Sequence, residues 1–469
     1  MKRRTKIVCT LGPATNSQAR IRELIGAGMN VARLNCSHGD WQSKKEWIEW
    51  IRAESPRFGP IGILADLQGP KFRIGDLREK VMELQTGQSL TVGRDLANDI
   101  PIPGEEILEA MSPNCRLLLG DGEVELKIAG GNPDRYDAKV VTGGKIGSRK
   151  GVTLVGKSFE VPALTDKDKE DAYHAMQAGV DFIALSYVRR AADLRELRRL
   201  IDQYDPTVRL CAKIETREAL KDLDEILKAT DIVMVARGDL GLQMELEDVP
   251  LAQKTIIQKS AQAGKPVITA TQMLESMLTA PRPTRAEASD IANAILDGTD
   301  AVMLSGETAA GNYPIEAVKT MARIAEKAET HFDHEDRFDT LALSSSAPDF
   351  STQAVAKAAV QLATTLKARA IVTTSTSGLT PRMVSKFRPR CPVLTASWNP
   401  RTQAQLSVVW GVEAVYMEMP STTDEIVARA IDQFMSAKRL KIGDTVVITA
   451  GVPAGKTGNT NLIEVETLK

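Results

Sequence analysis

The sequence has little of what marks several large protein classes. Its 469 residues include only five cysteines and four histidines. The cysteines lie far apart, and neither a CxxC pair nor a Cys/His cluster at metal-ligand spacing occurs. This pattern argues against a disulfide framework and against a Cys/His metal site, and it favours a reduced, cytoplasmic protein.

Long apolar runs and a charge imbalance are also missing. The start, MKRRTKIVCTLG, has a very short apolar run before Gly12 and Pro13. No other apolar run reaches the ~18 residues of a membrane span. The formal net charge is −1. We therefore expect no signal peptide, no membrane association and no nucleic-acid partner.

What the sequence does contain is eight short apolar runs separated by helical patterns. Nearly continuous Val, Ile, Leu and Ala is typical of parallel strands that are covered on both faces. The runs occupy residues 5–11, 31–37, 61–67, 182–188, 210–215, 232–237, 267–273 and 301–307. Eight strand–helix units predict an α/β fold, a TIM (β/α)8 barrel, with its active site at the carboxyl ends of the strands.

Two regions depart from the barrel pattern. Short alternating stretches with Gly and Asn-Pro turns predict a small β-barrel lid domain, inserted at the active-site end. Beyond a Ser-rich linker, alternating helices and strands predict a C-terminal open-sheet α/β domain. The predicted division is a barrel at 1–69 and 163–340, a lid at 70–162 and a C-terminal domain at 350–469.

Charged and polar residues follow six of the eight predicted strands. Lys213 and Glu215 share one face of their strand, and we expect Arg237 and Asp239 to do the same on the next one. A single pair of this kind is most simply a structural ion pair. Six strand ends with such groups are better explained by a site.

The residue types at these strand ends indicate a particular chemistry. Carboxylates without His or Cys ligands suit a hard ion such as Mg²⁺. Neighbouring Lys and Arg suit the charge of phosphoryl oxygens. No Ser-His-Asp order or Cys-His pair is evident, which argues against acyl transfer. The residues alone therefore predict phosphoryl transfer on a Mg²⁺-bound substrate.

The segment AGVPAGKT at residues 450–457 fits a loose phosphate-loop pattern after a strand. A true phosphate loop opens a helix, whereas this segment leads into another predicted strand. We therefore do not expect a nucleotide-hydrolysing loop here, although its backbone could hold an anion.

Several stretches together resemble the pyruvate kinase family. They include TKIVCTLGPAT, NVARLNCSHGD, ILADLQGPKFRIG, CAKIETREAL, DIVMVARGDLGLQ and the long block from Ile268 to Pro314. The resemblance implies phosphoryl transfer from phosphoenolpyruvate to ADP, giving pyruvate and ATP as the last step of glycolysis. It also implies Mg²⁺ as cofactor, with Mn²⁺ as a substitute, and an allosteric homotetramer in the cytoplasm.

The resemblance assigns roles to residues at matching motif positions. Lys213 would stabilise the transferring phosphoryl group and the enolate, and Glu215 and Asp239 would hold Mg²⁺. The residues implied in catalysis are Arg33, Lys213, Thr271, Ser305 and Glu307, the last two linked to proton delivery. The residues implied in substrate binding are Arg33, Lys213, Gly238, Asp239 and Thr271. The residues implied near the nucleotide are Asn35, His38, Arg73 and Lys150.

One departure from the family pattern concerns a monovalent cation. Many members have Glu after the Gly-Pro pair and require K⁺, whereas this chain has Lys71. The family's cation positions correspond to Asn35, Ser37, Asp66 and Leu67. Because a fixed ammonium can take the place of the ion, we predict activity without K⁺.

A Ser/Thr-rich loop in the C-terminal domain resembles the family's effector-binding loop. Its residues are Thr374, Ser375, Thr376, Ser377, Gly378 and Thr380. A helix follows, and a helix N-terminus suits anions. We predict a phosphorylated sugar or nucleotide as activator; a Ser/Thr-rich loop with a helix cap explains the same residues.

Two other functions fit part of the pattern. A lyase or aldolase of phosphoenolpyruvate or pyruvate also uses Mg²⁺ on such a barrel, but it needs neither a nucleotide lid nor Lys150. A metabolite-sensing regulator without catalysis should have lost a strand-end residue, yet Lys213, Glu215, Asp239 and Thr271 are all present.

Overall fold

The computed structural model contains a barrel, a lid and a C-terminal α/β domain. It describes residues 3–120, 122–156, 161–341, 343, 349–419, 423–451 and 460–469. The first part of the barrel consists of β1 (Lys6–Thr10), α1 (Gln18–Ala27), β2 (Val31–Asn35), α2 (Trp41–Phe58) and β3 (Gly62–Asp66). All three strands are largely buried, as expected of strands with helices on one face and a barrel interior on the other.

The lid follows β3 and is built around its own apolar core. Its elements are β4 (Val81–Leu84), β5 (Ser89–Gly93), β6 (Ile100–Pro101), α3 (Glu105–Ala110), β7 (Arg116–Leu119), β8 (Val124–Asn132), β9 (Arg135–Thr142), β10 (Gly144–Gly147) and β11 (Val152–Leu154). They pair as a six-stranded sheet, β11-β7-β8-β9-β5-β6, and a two-stranded ladder of β10 and β4. Apolar side chains from both sheets share the core, which makes the lid a small domain of its own.

The second part of the barrel begins with a capped helix. Thr165 and Asp168 cap α4 (Asp166–Gln177) reciprocally, and the Thr165 hydroxyl accepts from the Asp168 amide. Its strands are β12 (Phe182–Val188), β13 (Arg209–Ile214), β14 (Ile232–Ala236), β15 (Val267–Ala270) and β16 (Ala301–Leu304). Its helices are α4 (Asp166–Gln177), α5 (Ala191–Tyr204), α6 (Arg217–Lys221), α7 (Leu223–Ala229), α8 (Arg237–Gln243), α9 (Val249–Gln262), α10 (Arg285–Leu296), α11 (Gly306–Ala309), α12 (Pro314–Glu329) and α13 (His334–Thr340).

The eight strands close into a parallel barrel in the order β1-β16-β15-β14-β13-β12-β3-β2. The predicted TIM barrel is therefore confirmed, and the lid lies between β3 and β12. Most of the predicted strands were too long; β14, β15 and β16, for example, end at Ala236, Ala270 and Leu304. The expectation that Arg237 and Asp239 share a strand face is wrong, since both belong to the first turn of α8.

The C-terminal domain is a five-stranded open sheet, as predicted. Its elements are α14 (Phe350–Thr365), β17 (Ala370–Thr374), α15 (Leu379–Lys386), β18 (Val393–Ser397), α16 (Pro400–Leu406), β19 (Val412–Tyr416), α17 (Thr423–Ser436), β20 (Thr445–Ala450) and β21 (Leu462–Thr467). The strand order is β19-β18-β17-β20-β21, with the edge strand β21 antiparallel to β20.

The phosphate-loop-like segment falls mostly outside the described residues, which omit 452–459. The next described element is β21, a strand. Among the helices that the structure describes, none combines the length and apolarity needed to cross a bilayer.

Candidate active site

A cavity of about 200 Å³ lies at the carboxyl ends of the barrel strands and extends to strand β11 of the lid. Most of its lining side chains are polar or charged, and they include Arg33, Asp66, Lys213, Glu215 and Asp239. A larger groove of about 740 Å³ lies between α17 and β21, but it gathers no comparable set of cations and carboxylates. The chemistry therefore directs attention to the barrel mouth.

Lys213 lies at the centre of the charged cluster. It comes from β13 and is buried, with its Nζ 2.7 Å from Glu215 Oε1 and 3.3 Å from Asp66 Oδ1. It also donates a 2.6 Å hydrogen bond to Ser186 Oγ. Burial alone lowers the pKa of Lys213, but Asp66 and Glu215 outweigh burial and raise this pKa above its ordinary value. Lys213 is thus a permanent positive charge, and it cannot act as a base near neutral pH.

Asp66 and Arg33 form the second part of the cluster. Asp66 ends β3 and is buried, and Arg33 Nε donates to Asp66 Oδ2 at 2.7 Å. Arg33 Nη1 also donates to Thr10 Oγ1 at 3.0 Å. Burial raises the pKa of Asp66, but the charges of Lys213 and Arg33 lower it by more than burial raises it. The pKa of Asp66 therefore lies below its usual range. Asp66 is therefore a fixed anion that orients both cations.

Glu215 is aimed by an unusual backbone conformation in β12. Tyr187 has φ +57°, in the left-handed region, and its amide donates to Glu215 Oε2 at 2.7 Å. Burial raises the pKa of Glu215; Lys213 opposes this, and the nearby charge of Asp239 raises the pKa further. A second cation beside Glu215 would relieve that repulsion.

Asp239 lines the cavity, and the neighbouring Gly238 contacts Thr271. Thr271 follows β15 with φ +68°, and its Oγ1 accepts from the Gly238 amide at 2.8 Å. Asp239 follows Gly238 in the first turn of α8, and its Oδ1 lies 3.6 Å from Lys71 Nζ. Arg237, in contrast, donates to Asp290 Oδ1 at 2.7 Å and is not among the residues that line the cavity. Its strand-end position was therefore misleading.

The two carboxylates Glu215 and Asp239 have the character of a divalent-cation site. Within the described ranges, no group of three or more His, Cys, Asp and Glu is placed to hold a metal. Glu215 Oε1 is buried and makes no hydrogen bond to any described residue, although Lys213 Nζ is near. Two carboxylates suit Mg²⁺, which takes its remaining ligands from substrate oxygens and water.

Comparison with known proteins identifies the family. Residues 2–318 match the model described as "Pyruvate kinase, barrel domain", and residues 353–466 match "Pyruvate kinase, alpha/beta domain". The pyruvate kinase of Geobacillus stearothermophilus is 44% identical across all of this chain and 81% of its own length. Those of Sporosarcina psychrophila and Bacillus licheniformis are 42% and 43% identical, over 99% of this chain and 80% of theirs.

The chain belongs to the pyruvate kinase family. It is therefore an enzyme, and members of this family generally need a divalent metal. The family resemblance in the sequence motifs is therefore confirmed, and so is the predicted TIM barrel fold.

The residues predicted to lie near the nucleotide are divided between the barrel and the lid. Asn35, His38 and Arg73 line the cavity, whereas Lys150 is exposed on the lid and is not part of the lining. The Asn35 side chain accepts from the Ser37 amide at 3.0 Å. Burial and the charges of Arg73, Arg33, Lys44 and Lys71 lower the pKa of His38, which keeps its ring neutral near pH 7.

Ser305 and Glu307 follow β16, and Glu307 makes two hydrogen bonds to backbone amides. Its buried carboxylate accepts from the Leu274 amide at 3.0 Å and from the Ser305 amide at 2.7 Å. Glu307 thus ties together the segments that follow β15 and β16. Neither Ser305 nor Glu307, nor Gly238 nor Thr271, is part of the cavity lining.

The four positions that correspond to the family's monovalent-cation site all line the cavity. They are Asn35, Ser37, Asp66 and Leu67. Lys71 lines the same cavity, and its ammonium faces Asp239 in this structure.

The loop predicted to bind an effector connects β17 to α15. Gly378, with φ +77°, is the N-cap of α15, and no side chain caps this helix. Ser375 Oγ accepts from the Gly378 amide at 2.9 Å, and Thr380 hydrogen-bonds Thr460 at 2.7 Å. The Ser375 hydroxyl therefore binds the amide of the N-cap residue itself, which is a structural role at the start of α15. Arg209 of the barrel donates to Ser377 O at 3.4 Å.

Sequence reasoning missed three contributors to the site. Ser186 binds Lys213, Tyr187 aims Glu215, and Thr10 holds Arg33. Ser186 is a polar residue near the end of an apolar run, and that signal could have identified it. The left-handed conformation of Tyr187 has no counterpart in the residue pattern.

Proposed function

We propose that the barrel mouth transfers the phosphoryl group of phosphoenolpyruvate to ADP, which yields pyruvate and ATP. The observation that carries this proposal is the buried cluster of Lys213, Arg33, Asp66 and Glu215, in which two fixed cations face a pair of carboxylates. Catalysis of phosphoryl transfer consists largely of positioning and charge stabilisation, and a cluster of this kind supplies both.

Glu215 and Asp239 would hold Mg²⁺, or Mn²⁺ in its place. When bound, the ion supplies positive charge to the phosphoryl oxygens. The raised pKa of Glu215, caused by burial and then by Asp239, supports this assignment, because a bound cation removes the reason for the shift.

The cations of the cluster act on the substrate. Lys213 contributes a fixed charge to the transferring phosphoryl group and to the enolate, since its pKa keeps it protonated. Arg33, oriented by Asp66 and Thr10, binds the phosphoryl group. Gly238 and Thr271 flank the enolate and bind the pyruvate carboxylate.

Protonation of the enolate carbon completes the reaction. We assign proton delivery to the Ser305 region, with Glu307 as a positioning residue. Its two hydrogen bonds to backbone amides support that role, because a carboxylate engaged in this way holds the Ser305 segment in place.

The nucleotide would bind between the barrel mouth and the lid. Asn35 and His38 approach it from the barrel, while Arg73 and Lys150 contact its phosphates from the lid side. Arg73 is anchored by a hydrogen bond from its Nη1 to Arg149 O at 3.0 Å, which supports a fixed position for its charge. A lyase or aldolase binds no nucleotide and needs no such lid, so the lid favours a reaction that uses ADP.

An assay with and without ADP tests the proposed reaction directly. Pyruvate should form from phosphoenolpyruvate only when ADP and Mg²⁺ are both present. Replacing Lys213 with Met should lower kcat by at least about 100-fold, the scale expected when one preorganised charge is removed. Pyruvate formation without ADP would favour a lyase, and unchanged turnover in Lys213→Met would disprove the mechanism.

We also propose that the enzyme works without K⁺, because Lys71 carries a fixed ammonium into the cavity that contains the cation positions. The expected result is a similar rate in K⁺ and in tetramethylammonium at equal ionic strength. A strict requirement for K⁺ would refute this proposal.

Regulation and assembly follow from the family resemblance. We propose that a phosphorylated sugar or nucleotide activates the enzyme at the loop of residues 374–380, supported by the uncapped N-terminus of α15. We further propose a cytoplasmic homotetramer. A panel of such compounds should change the phosphoenolpyruvate saturation curve, and light scattering should give the mass of four chains.

A further inference from the structure

Lys71 lies at the entry to the lid and pairs with Asp239, one of the two proposed metal-binding carboxylates. Its Nζ lies 3.6 Å from Asp239 Oδ1, and the two side chains keep 43% and 40% of their surface exposed. The Lys71 amide donates to Gly69 O at 2.9 Å, and the Gly69 amide donates to Asp168 Oδ1 at 3.0 Å. The backbone of Lys71 is therefore fixed to the barrel, while its side chain reaches α8 across the cavity.

Each of the two carboxylates has a lysine beside it, but the two lysines are held differently. Lys213 is buried and contacts Glu215, Asp66 and Ser186 within 3.3 Å. Lys71 is half-exposed, and its ion-pair partner among the described residues is Asp239. Exposed ion pairs are weak, whereas breaking a buried pair is costly. An incoming cation can therefore displace Lys71 far more easily than Lys213.

We propose that Lys71 is a tethered counter-ion that occupies Asp239 until the divalent cation arrives. The proposal rests on the proposed function, in which Glu215 and Asp239 hold Mg²⁺. Because Mg²⁺ requires close carboxylate oxygens in a strict geometry, the Lys71 ammonium must leave Asp239 when the ion binds. Lys71 thereby weakens metal binding to the empty enzyme.

The displaced ammonium has a second place to go. Asn35, Ser37, Asp66 and Leu67 line the same cavity as Lys71. Lys71 would thus pair with Asp239 in the metal-free enzyme and replace the monovalent cation only in the metal-bound enzyme. Metal binding and the function of Lys71 as a substitute for K⁺ are therefore coupled in this chain.

Titration of the metal-free enzyme with Mn²⁺ tests the competition without any measurement of activity. Free Mn²⁺ is followed by electron paramagnetic resonance at low ionic strength, with no substrate or nucleotide present. Lys71→Met should bind Mn²⁺ roughly threefold to fivefold more tightly than the wild type, the range that an exposed ion pair supports. Lys71→Arg keeps the charge and should stay close to the wild type.

Arg73→Met is the matched control, because it removes another cation from the same cavity. Arg73 donates to Arg149 O. Its Mn²⁺ affinity should remain near that of the wild type. If Lys71→Met binds like the wild type, or if Arg73→Met and Lys71→Arg bind as tightly as Lys71→Met, the competition is overturned. Glu215→Gln separates the two hypotheses: retained tight binding there means that the proposed metal site itself is wrong.

Discussion

At the scale of single residues, the site depends on which charges are fixed. Asp66 is buried between Lys213 and Arg33, and these cations hold its pKa below the ordinary value of 3.8 despite burial. Lys213 in turn stays protonated because of Asp66 and Glu215. Each member of the cluster thus sets the ionisation of its neighbours, and removing one should affect stability as well as catalysis.

The ionisation of Asp66 predicts a pH dependence of stability. A depressed carboxyl pKa contributes stability that is present above the unfolded-state value, 3.8, and is lost as pH falls through the lower folded-state value. The urea midpoint of the wild type should therefore exceed that of Asp66→Asn by a constant amount between about pH 5 and 7, and the difference should shrink below about pH 4. A difference that widens on acidification would contradict this account.

At the scale of elements, the sequence predicted the strands far better than the segments that follow them. Eight apolar runs became eight barrel strands, which close in the predicted barrel. A strand that is buried on both faces has a nearly continuous run of apolar residues, which is easily seen in the sequence. No such pattern marks where β14 ends and α8 begins, because α8 starts directly after Ala236 and its first residue, the charged Arg237, resembles the polar end of a strand.

The same limit applies to the candidate site. The strand ends and the family resemblance together identified Lys213, Glu215, Arg33 and Asp66, which the structure brings into one cluster. They could not identify the backbone donor Tyr187, since a left-handed φ and an amide direction leave no signature in side-chain type. The strand-end pattern also grouped Arg237 with the site, although that side chain faces Asp290.

The junction between the barrel and the lid gives a prediction for one element, α4. Asp168 caps α4 with Thr165, and its other oxygen holds the Gly69 amide at the lid entry. The corresponding capping pair of α10 is Thr284 with Glu287, and Thr284 has the N-cap position that Thr165 has in α4. Asp168→Ala and Thr284→Ala should each lose about 1 kcal/mol or somewhat more in stability. Only Asp168→Ala should also raise KM for ADP, as measured by steady-state kinetics.

Equal effects of the two α4 and α10 variants on KM would mean that the Gly69 contact does not position the lid. Gly69 has φ +69°, and a Cβ there would lie 3.0 Å from the Cβ of Ser186, a partner of Lys213. A side chain at residue 69 would therefore press on Ser186, which contacts Lys213.

At the scale of the whole molecule, the C-terminal domain is joined to the barrel through buried charge. Arg388 is fully buried; its Nη1 donates to Asp300 Oδ1 at 2.9 Å, and its Nη2 donates to Gly298 O at 2.7 Å. Its guanidinium also lies 4.9 Å from the centroid of the Trp410 ring. The backbone amide of Trp410 donates to Asp300 Oδ1. The contact joins the start of β16 to the segments after α15 and α16, beside an apolar cluster that contains residues of both domains.

This buried pair predicts a strong and non-additive effect on stability. Arg388→Met leaves Asp300 buried without its cation and should cost about 3–5 kcal/mol. Asp300→Asn in the same chain removes the stranded charge, so the double variant should be more stable than the sum of the single changes by roughly 1 kcal/mol or more. Denaturant unfolding of the four proteins measures the coupling. Additive effects would show that Arg388 stabilises the interface through Gly298 and Trp410, and that its pairing with Asp300 contributes nothing specific.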